Sequence, residues 1–220
     1  MTGMRPKHLA MALSRLTPHP VSKVELEQYA TEGDLAAYWM LAVDQLDGLQ
    51  GRTVADLGAG NGILGIACLM LGAQHVTFVE CHQETHETLS ANLASLGEEY
   101  LGRTSVVNAT LGVDEVDLTD IDLIVMNPPW GVQHPKADRP FLETALTTGS
   151  TAVHVLHSDH ATHLEAFALD HGWQTETVLR TEFRLPPTYA HHAKRKGTTD
   201  VKCLRFHRAG DARLDTEPVA

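Results

Sequence analysis

Residues 53–80 read TVADLGAGNGILGIACLMLGAQHVTFVE: a short apolar strand, a glycine-rich turn, an apolar helix and a second strand that ends on an acid. The turn carries Asp56, Gly58, Gly60 and Gly62 from the strand into the helix. Glycines there let the backbone bend sharply and let a ligand approach atoms that a β-carbon would shield. A dinucleotide fingerprint would need its last glycine at position 63, where this chain has Ile63. The G-x-G-x-G spacing behind Asp56 is the form that fits S-adenosylmethionine. Glu80, about twenty residues on at the end of the next strand, is placed to accept hydrogen bonds from both hydroxyls of a ribose. A cofactor with an adenosine but no pyrophosphate is implied.

Outward from this unit, strand-like and helix-like segments alternate. Strands are expected at 53–57, 75–80, 104–108, 121–127 and 151–157, with two longer ones near 173–184 and 200–207; helical patterns fall at 61–72, 83–96, 138–149 and 160–171. Helices that cross over between strands imply parallel pairing with right-handed connections. The last two strands have no helix between them and should pair antiparallel. The expected fold is α/β: a seven-stranded, mostly parallel, Rossmann-like sheet with an antiparallel last strand. Upstream, Leu9, Leu13 and Leu16 share a helical face, and a second helix from Glu32 to Leu46 is expected to take Thr31 as its N-cap. Residues 1–50 thus read as a helical segment packed on a core spanning 51–208. The tail 209–220, AGDARLDTEPVA, has almost nothing to bury and is expected to be disordered.

At 220 residues and 43% apolar content the chain suits one globular domain. No apolar run approaches the length of a membrane span, and the N-terminus lacks a signal peptide's apolar core, so a cytoplasmic location is expected. Cys68, Cys81 and Cys203 are far apart and suggest neither a disulfide framework nor a cysteine zinc site. The net charge of −11 argues against indiscriminate binding to polyanions. A nucleic-acid ligand would need a local basic patch.

A second motif, IVMNPPWG at 124–131, ends a buried strand on Asn127, two prolines and Trp130. It falls at the carboxyl edge of the sheet, on the same side as the glycine loop. Pro128 and Pro129 fix φ and remove two backbone donors, so the turn offers acceptors: the Asn127 side-chain oxygen and the Pro128 carbonyl. Two rigid acceptors suit an –NH₂ group. Holding both of its hydrogens favours the geometry in which the nitrogen lone pair points at an electrophilic methyl. Trp130 supplies an aromatic face for a planar base taken out of its stack.

Together, DLGAGNG, Glu80 and NPPW resemble a class I, S-adenosylmethionine-dependent amino methyltransferase. The segments LEQYAT (26–31), LGAGNGILGIACLMLGA, VMNPPWG, FLETAL (141–146), TAVHVLHS (151–158) and LPPTYAHHAKRKGTTDVKCLRF (185–206) resemble, in order and spacing, the methyltransferase-like protein five family in its archaeal form. That family makes N6-methyladenine in small-subunit ribosomal RNA. The resemblance implies that Gln28, Tyr29 and Thr31 lie against the cofactor, that Asp56, Gly58 and Gly60 surround its methionine part, and that Glu80 takes its ribose. Asn127, Pro128, Pro129 and Trp130 would form the amine pocket. The family usually has proline where Ala30 stands and phenylalanine where Trp130 stands. Its acidic contact to the cofactor adenine is replaced here by Asn108 and Ala109. The resemblance also implies a partner, a small zinc-binding activator that extends the sheet along an exposed strand.

Lys194, Arg195, Lys196, Lys202, Arg205 and Arg208 form a dense basic segment opposed by Asp200, read as a phosphate-gripping loop for RNA with Lys194, Arg195 and Lys196 at its centre. His154, His157, His160 and His163 recur every third residue, but they pass from a strand into a loop and helix, so no metal site is expected from them. Two other readings stand beside the RNA enzyme: a glutamine methyltransferase acting on a protein, and a non-catalytic RNA assembly factor.

Overall fold

A computed structural model describes residues 4–20, 31–131, 134–184 and 198–214. Seven strands form one sheet: β1 (Thr53–Leu57), β2 (His75–Val79), β3 (Thr104–Val107), β4 (Leu123–Met126), β5 (Ala152–Ser158), β6 (Gln174–Arg184) and β7 (Thr198–His207). Their order is β3-β2-β1-β4-β5-β7-β6. Pairing is parallel from β3 through β5, whereas β7 runs antiparallel to both β5 and β6. The last strand therefore lies inside the sheet, and β6 becomes the edge.

Central strands are buried on both faces, which is why they read as nearly continuous apolar runs. Strand alternation still sorts their side chains. Val54, Leu123 and Val125 join one core with helices α1 (Pro6–Leu13), α2 (Gly33–Asp47), α3 (Ile63–Met70) and α4 (Gln83–Ser95). Ala55, Leu57, Ile124 and Met126 join the other, under α6 (Arg139–Thr147) and α7 (His163–Asp170). A short α5 (Glu98–Leu101) precedes β3. Strand order reverses between β1 and β4, so the segments leaving their carboxyl ends diverge and open a crevice there.

Several local expectations shift. The N-cap of α2 is Glu32, not Thr31, and its side chain makes no capping bond; the Thr31 hydroxyl instead meets Asn127. Helix α1 stops at Leu13, so Leu16 lies beyond it. Within the expected tail, Asp211, Arg213 and Leu214 are tied down. The N–H groups of Arg213 and Leu214 both donate to Glu176 Oε1 at 2.7 Å, and Asp211 pairs with Arg205 at 2.8 Å. Polar contacts hold this segment where apolar burial does not, a kind of anchoring that composition does not reveal.

Candidate active site

At the end of β1 the chain turns through Gly58, Ala59 and Gly60. The N–H groups of Gly58 and Ala59 donate to the Val79 carbonyl at 2.9 and 3.0 Å, which lays the turn against β2. Gly58 has φ +70°, and a β-carbon there would stand 2.7 Å from the Phe141 ring. Gly60, at φ +57°, donates its N–H to Glu80 Oε2 at 2.9 Å. The other carboxylate oxygen accepts the His82 N–H, also at 2.9 Å. Glu80 thus brackets two loops through charge-assisted hydrogen bonds and also lines the crevice.

Asp56 turns away from that crevice. It is 1% exposed, and its Oδ2 accepts the Gly65 N–H at 2.8 Å. Burial pushes its carboxyl up, the Gly65 hydrogen bond opposes this, and the Glu80 charge adds to it, leaving the group at about 7. Asp56, expected beside the methionine part of a cofactor, thus supports the start of α3 from beneath the loop. The cause is strand alternation, which sends Val54 and Asp56 to the α3 side of the sheet.

A cavity of about 270 Å³ opens above the loop, lined by His19, Gly58, Gly60, Glu80, His82, Ala109, Thr110, Leu111, Asn127, Pro129 and Phe141 among others. Asn108, the expected adenine contact, is exposed and reaches Gln83 at 3.5 Å. The three residues after it form the wall. Sequence reasoning also missed His19 and Phe141. Phe141 had appeared only within FLETAL, and its role follows from α6 passing over Gly58.

Asn127 stands just past β4 with its amide held from both ends. Its Nδ2 donates to Thr31 Oγ1 at 3.2 Å, and its Oδ1 accepts the Trp130 indole N–H at 3.2 Å. Trp130 is 9% exposed and stacks on His157 with ring centroids 6.0 Å apart and planes at 28°. The indole expected to offer a face to a planar base is a wall of a second cavity, of about 790 Å³, with Lys136, Arg139, His157, His163 and Phe167 among its lining. The Asn-Pro-Pro-Trp turn thereby stands between the two cavities.

The histidine repeat separates across the sheet. His154 meets Asp47 at 2.8 Å on one face, while His157 turns to the other. There His157 and His163, the latter from α7, converge on Asp138 Oδ2 at 3.3 and 2.5 Å. Burial raises the Asp138 carboxyl, but the two histidines more than offset this and hold it below the usual carboxylate range. His157 Nδ1 accepts the Ser158 N–H at 2.9 Å, so its proton sits on Nε2, facing Asp138. His163 hydrogen-bonds Asp138 Oδ2, whereas His157 Nε2 approaches the same oxygen at ion-pair distance without completing a hydrogen bond.

Two of the six cations in the basic segment, Lys202 and Arg205, are buried, whereas Arg208 is exposed. Lys202 is buried against Glu165 and the Ala161 carbonyl at 2.6 Å, Arg205 is 0% exposed among carboxylates, and Arg208 lies 3.8 Å over the Trp173 ring. Composition showed the charges but not the partners waiting across the sheet. Lys194, Arg195 and Lys196, like Gln28 and Tyr29, lie outside the described residues.

Residues 32–165 match the family model described as methyltransferase small domain. The chain is 28% identical to the rRNA N(6)-adenosine-methyltransferase METTL5 of Danio rerio, over 92% of this chain and 99% of that one. It is 30% identical to Mettl5 of Drosophila melanogaster, also named an rRNA N(6)-adenosine-methyltransferase, over 84% and 87%. The solved structure of PH1948 from Pyrococcus horikoshii superimposes with a TM-score of 0.82 at 34% identity, covering 93% of this chain and 98% of that one.

Proposed function

The chain belongs to the methyltransferase small domain family and, within it, to that of the METTL5 proteins, and we propose that it transfers a methyl group from S-adenosylmethionine to N6 of an adenosine in small-subunit ribosomal RNA. The observation that carries this reading is the Asn-Pro-Pro-Trp turn between two cavities, one bordered by the glycine loop and Glu80, the other large and open. Trp130 walls the larger cavity, and Asn127, three residues before it, lines the smaller one.

S-adenosylmethionine fits the smaller cavity. Its floor is a glycine cradle that a β-carbon at Gly58 would fill, and Glu80 Oε2 stands where a ribose hydroxyl would donate. Gly58 and Gly60 border the methionine part, and the family resemblance assigns Gln28, Tyr29 and Thr31 to the cofactor as well. Ala109 to Leu111 serve the adenine in place of Asn108. When bound, the cofactor supplies a sulfonium methyl group. Asn127 Oδ1 and the Pro128 carbonyl accept the two amine hydrogens and turn the nitrogen lone pair toward that methyl. Pro129 keeps the turn rigid and Trp130 flanks the base. Displacement of this kind relies on placement, for which orientation contributes roughly 7–11 kcal/mol.

Lys136 and Arg139 at the larger cavity, with Lys194, Arg195 and Lys196, are the cations we assign to RNA phosphates. Such contacts anchor the strand without choosing its sequence. A small zinc-binding activator would extend the sheet at the β3 edge, as added strands commonly do. Among the described residues no helix is long and apolar enough to cross a membrane, and we place the enzyme in the cytoplasm. The test is to incubate the protein, with and without an activator, with labelled S-adenosylmethionine and unmodified small-subunit ribosomal RNA. Label should appear in N6-methyladenosine after nuclease digestion. Label in N5-methylglutamine of a protein, with none in adenosine, would overturn the assignment.

A further inference from the structure

Asn127 must present oxygen, not nitrogen, to an amine. A primary amide turned by half a rotation exchanges the two ends with little change in shape, so packing alone does not choose between them. Neighbouring hydrogen-bonding groups must make that choice.

Two such groups are in place. Trp130 Nε1–H is a donor with no accepting capacity, and it lies 3.2 Å from Asn127 Oδ1; a flipped amide would set two donors against each other. At the other end, Thr31 Oγ1 accepts from Nδ2 at 3.2 Å. The indole is itself held. Its ring stacks on His157, which is 1% exposed, and His157 and His163 share Asp138 Oδ2, with Asp138 3% exposed at the start of α6. The His157 ring is held by the Ser158 N–H on its Nδ1 at 2.9 Å and by the Asp138 carboxylate 3.3 Å from its Nε2, and a held lower ring limits tilt of the upper one.

We propose that Trp130 is a positioning residue for Asn127: its indole N–H, seated on the His157–Asp138–His163 group, fixes the amide so that Oδ1 faces the amine to be methylated. A carboxamide oxygen accepts along two lone-pair directions, so the indole N–H does not by itself bar a second donor. A phenylalanine at this position keeps the ring but lacks the N–H. The inference rests on the amino-methyltransferase reading of this turn, and its test has an arm that does not depend on activity.

In a ¹H–¹⁵N spectrum the Trp130 indole signal is identified by its loss in Trp130→Phe. Asn127→Ala should move that signal upfield and speed its exchange with solvent; an unmoved signal overturns the proposal whether or not the protein methylates RNA. In turnover, Trp130→Phe should lower kcat about 2- to 12-fold, the range of one net hydrogen bond, with KM for RNA and cofactor affinity unchanged. Placed on an Asn127→Ala background, the same change should produce no further loss, because the group it orients is gone. Wild-type kcat in Trp130→Phe, or fully additive losses in the double variant, overturns the proposal. If Trp130→Phe does not fold, Thr31→Val, which leaves the indole in place, should lower kcat with KM unchanged, and an unaltered kcat there counts against the clamp.

Discussion

Two regions of this protein bury an aspartate beside histidine, and they do so to opposite ends. On the α2 face, Asp47 receives Arg205 on both oxygens, Nε on Oδ2 at 2.9 Å and Nη2 on Oδ1 at 2.8 Å, and His154 besides. Arg205 also holds Glu176 and Asp211, both at 2.8 Å. Burial works against ionisation of Asp47, yet His154 and Arg205 more than offset it and hold the carboxyl far below its ordinary range. On the α6 face, Asp138 gathers both histidines on one oxygen, beside a cavity of about 790 Å³. Saturated charge with no cavity beside it is a structural joint. Charge satisfied from one side, with a cavity on the other, can hold a working residue in place.

The largest test of this contrast is Arg205→Ala, which leaves Asp47 and Glu176 buried without their main cation. Breaking such a pair typically costs about 3–5 kcal/mol; urea unfolding should register that loss. A loss under about 1 kcal/mol would mean the network is no joint. The surviving folded fraction should keep its cofactor affinity, because no part of the network borders either cavity.

Next in size is Asn127→Ala, for which kcat should fall about a hundredfold or more, as when an oriented donor or acceptor at a reacting centre is removed. Thermal stability and cofactor affinity should hardly move. Glu80→Ala should do the reverse, weakening cofactor binding measured by calorimetry while sparing the acceptor side. If both variants lose the same function, the two cavities do not divide the work as described.

The smallest effect is on pH dependence. Asp56 is raised to about 7, from an ordinary unfolded value of about 3.9. Its contribution to stability is therefore fully present below that lower value and is lost as pH rises toward 7. His154 has the opposite sign: burial lowers it, despite Asp47, so its share is present above about 6.5 and is lost as pH falls. Asp56→Asn keeps an acceptor for the Gly65 N–H and should gain on the wild type in melting temperature between pH 4 and pH 7. A constant gap over that interval would remove Asp56 as the source.

Much of the site was legible because its parts are local. Gly58, Gly60 and Glu80 sit on one strand–turn–helix–strand unit, and Asn127 to Trp130 follow a single apolar run, so spacing alone brought them to one edge of an open sheet. The burial of Asp56 was not legible, because a motif position does not say which way a strand turns its side chain. Lys202 and Arg205 misled because like charges along a strand can meet buried partners from other elements.

What the sequence by itself determined, then, is the alternation of strands and helices and the placing of the glycine loop and the Asn-Pro-Pro-Trp turn at one edge of the sheet, since apolar periodicity and glycine and proline geometry act over a few neighbouring residues. Only the tertiary structure decided that Thr31 and Trp130 grip opposite ends of the Asn127 amide, that His157 and His163 meet on Asp138, and that Arg205 finds Asp47 across 158 residues of chain. Those pairings depend on how helices settle on the two faces of the sheet. A hydrogen bond a few ångströms long between distant segments leaves no periodic trace in either of them.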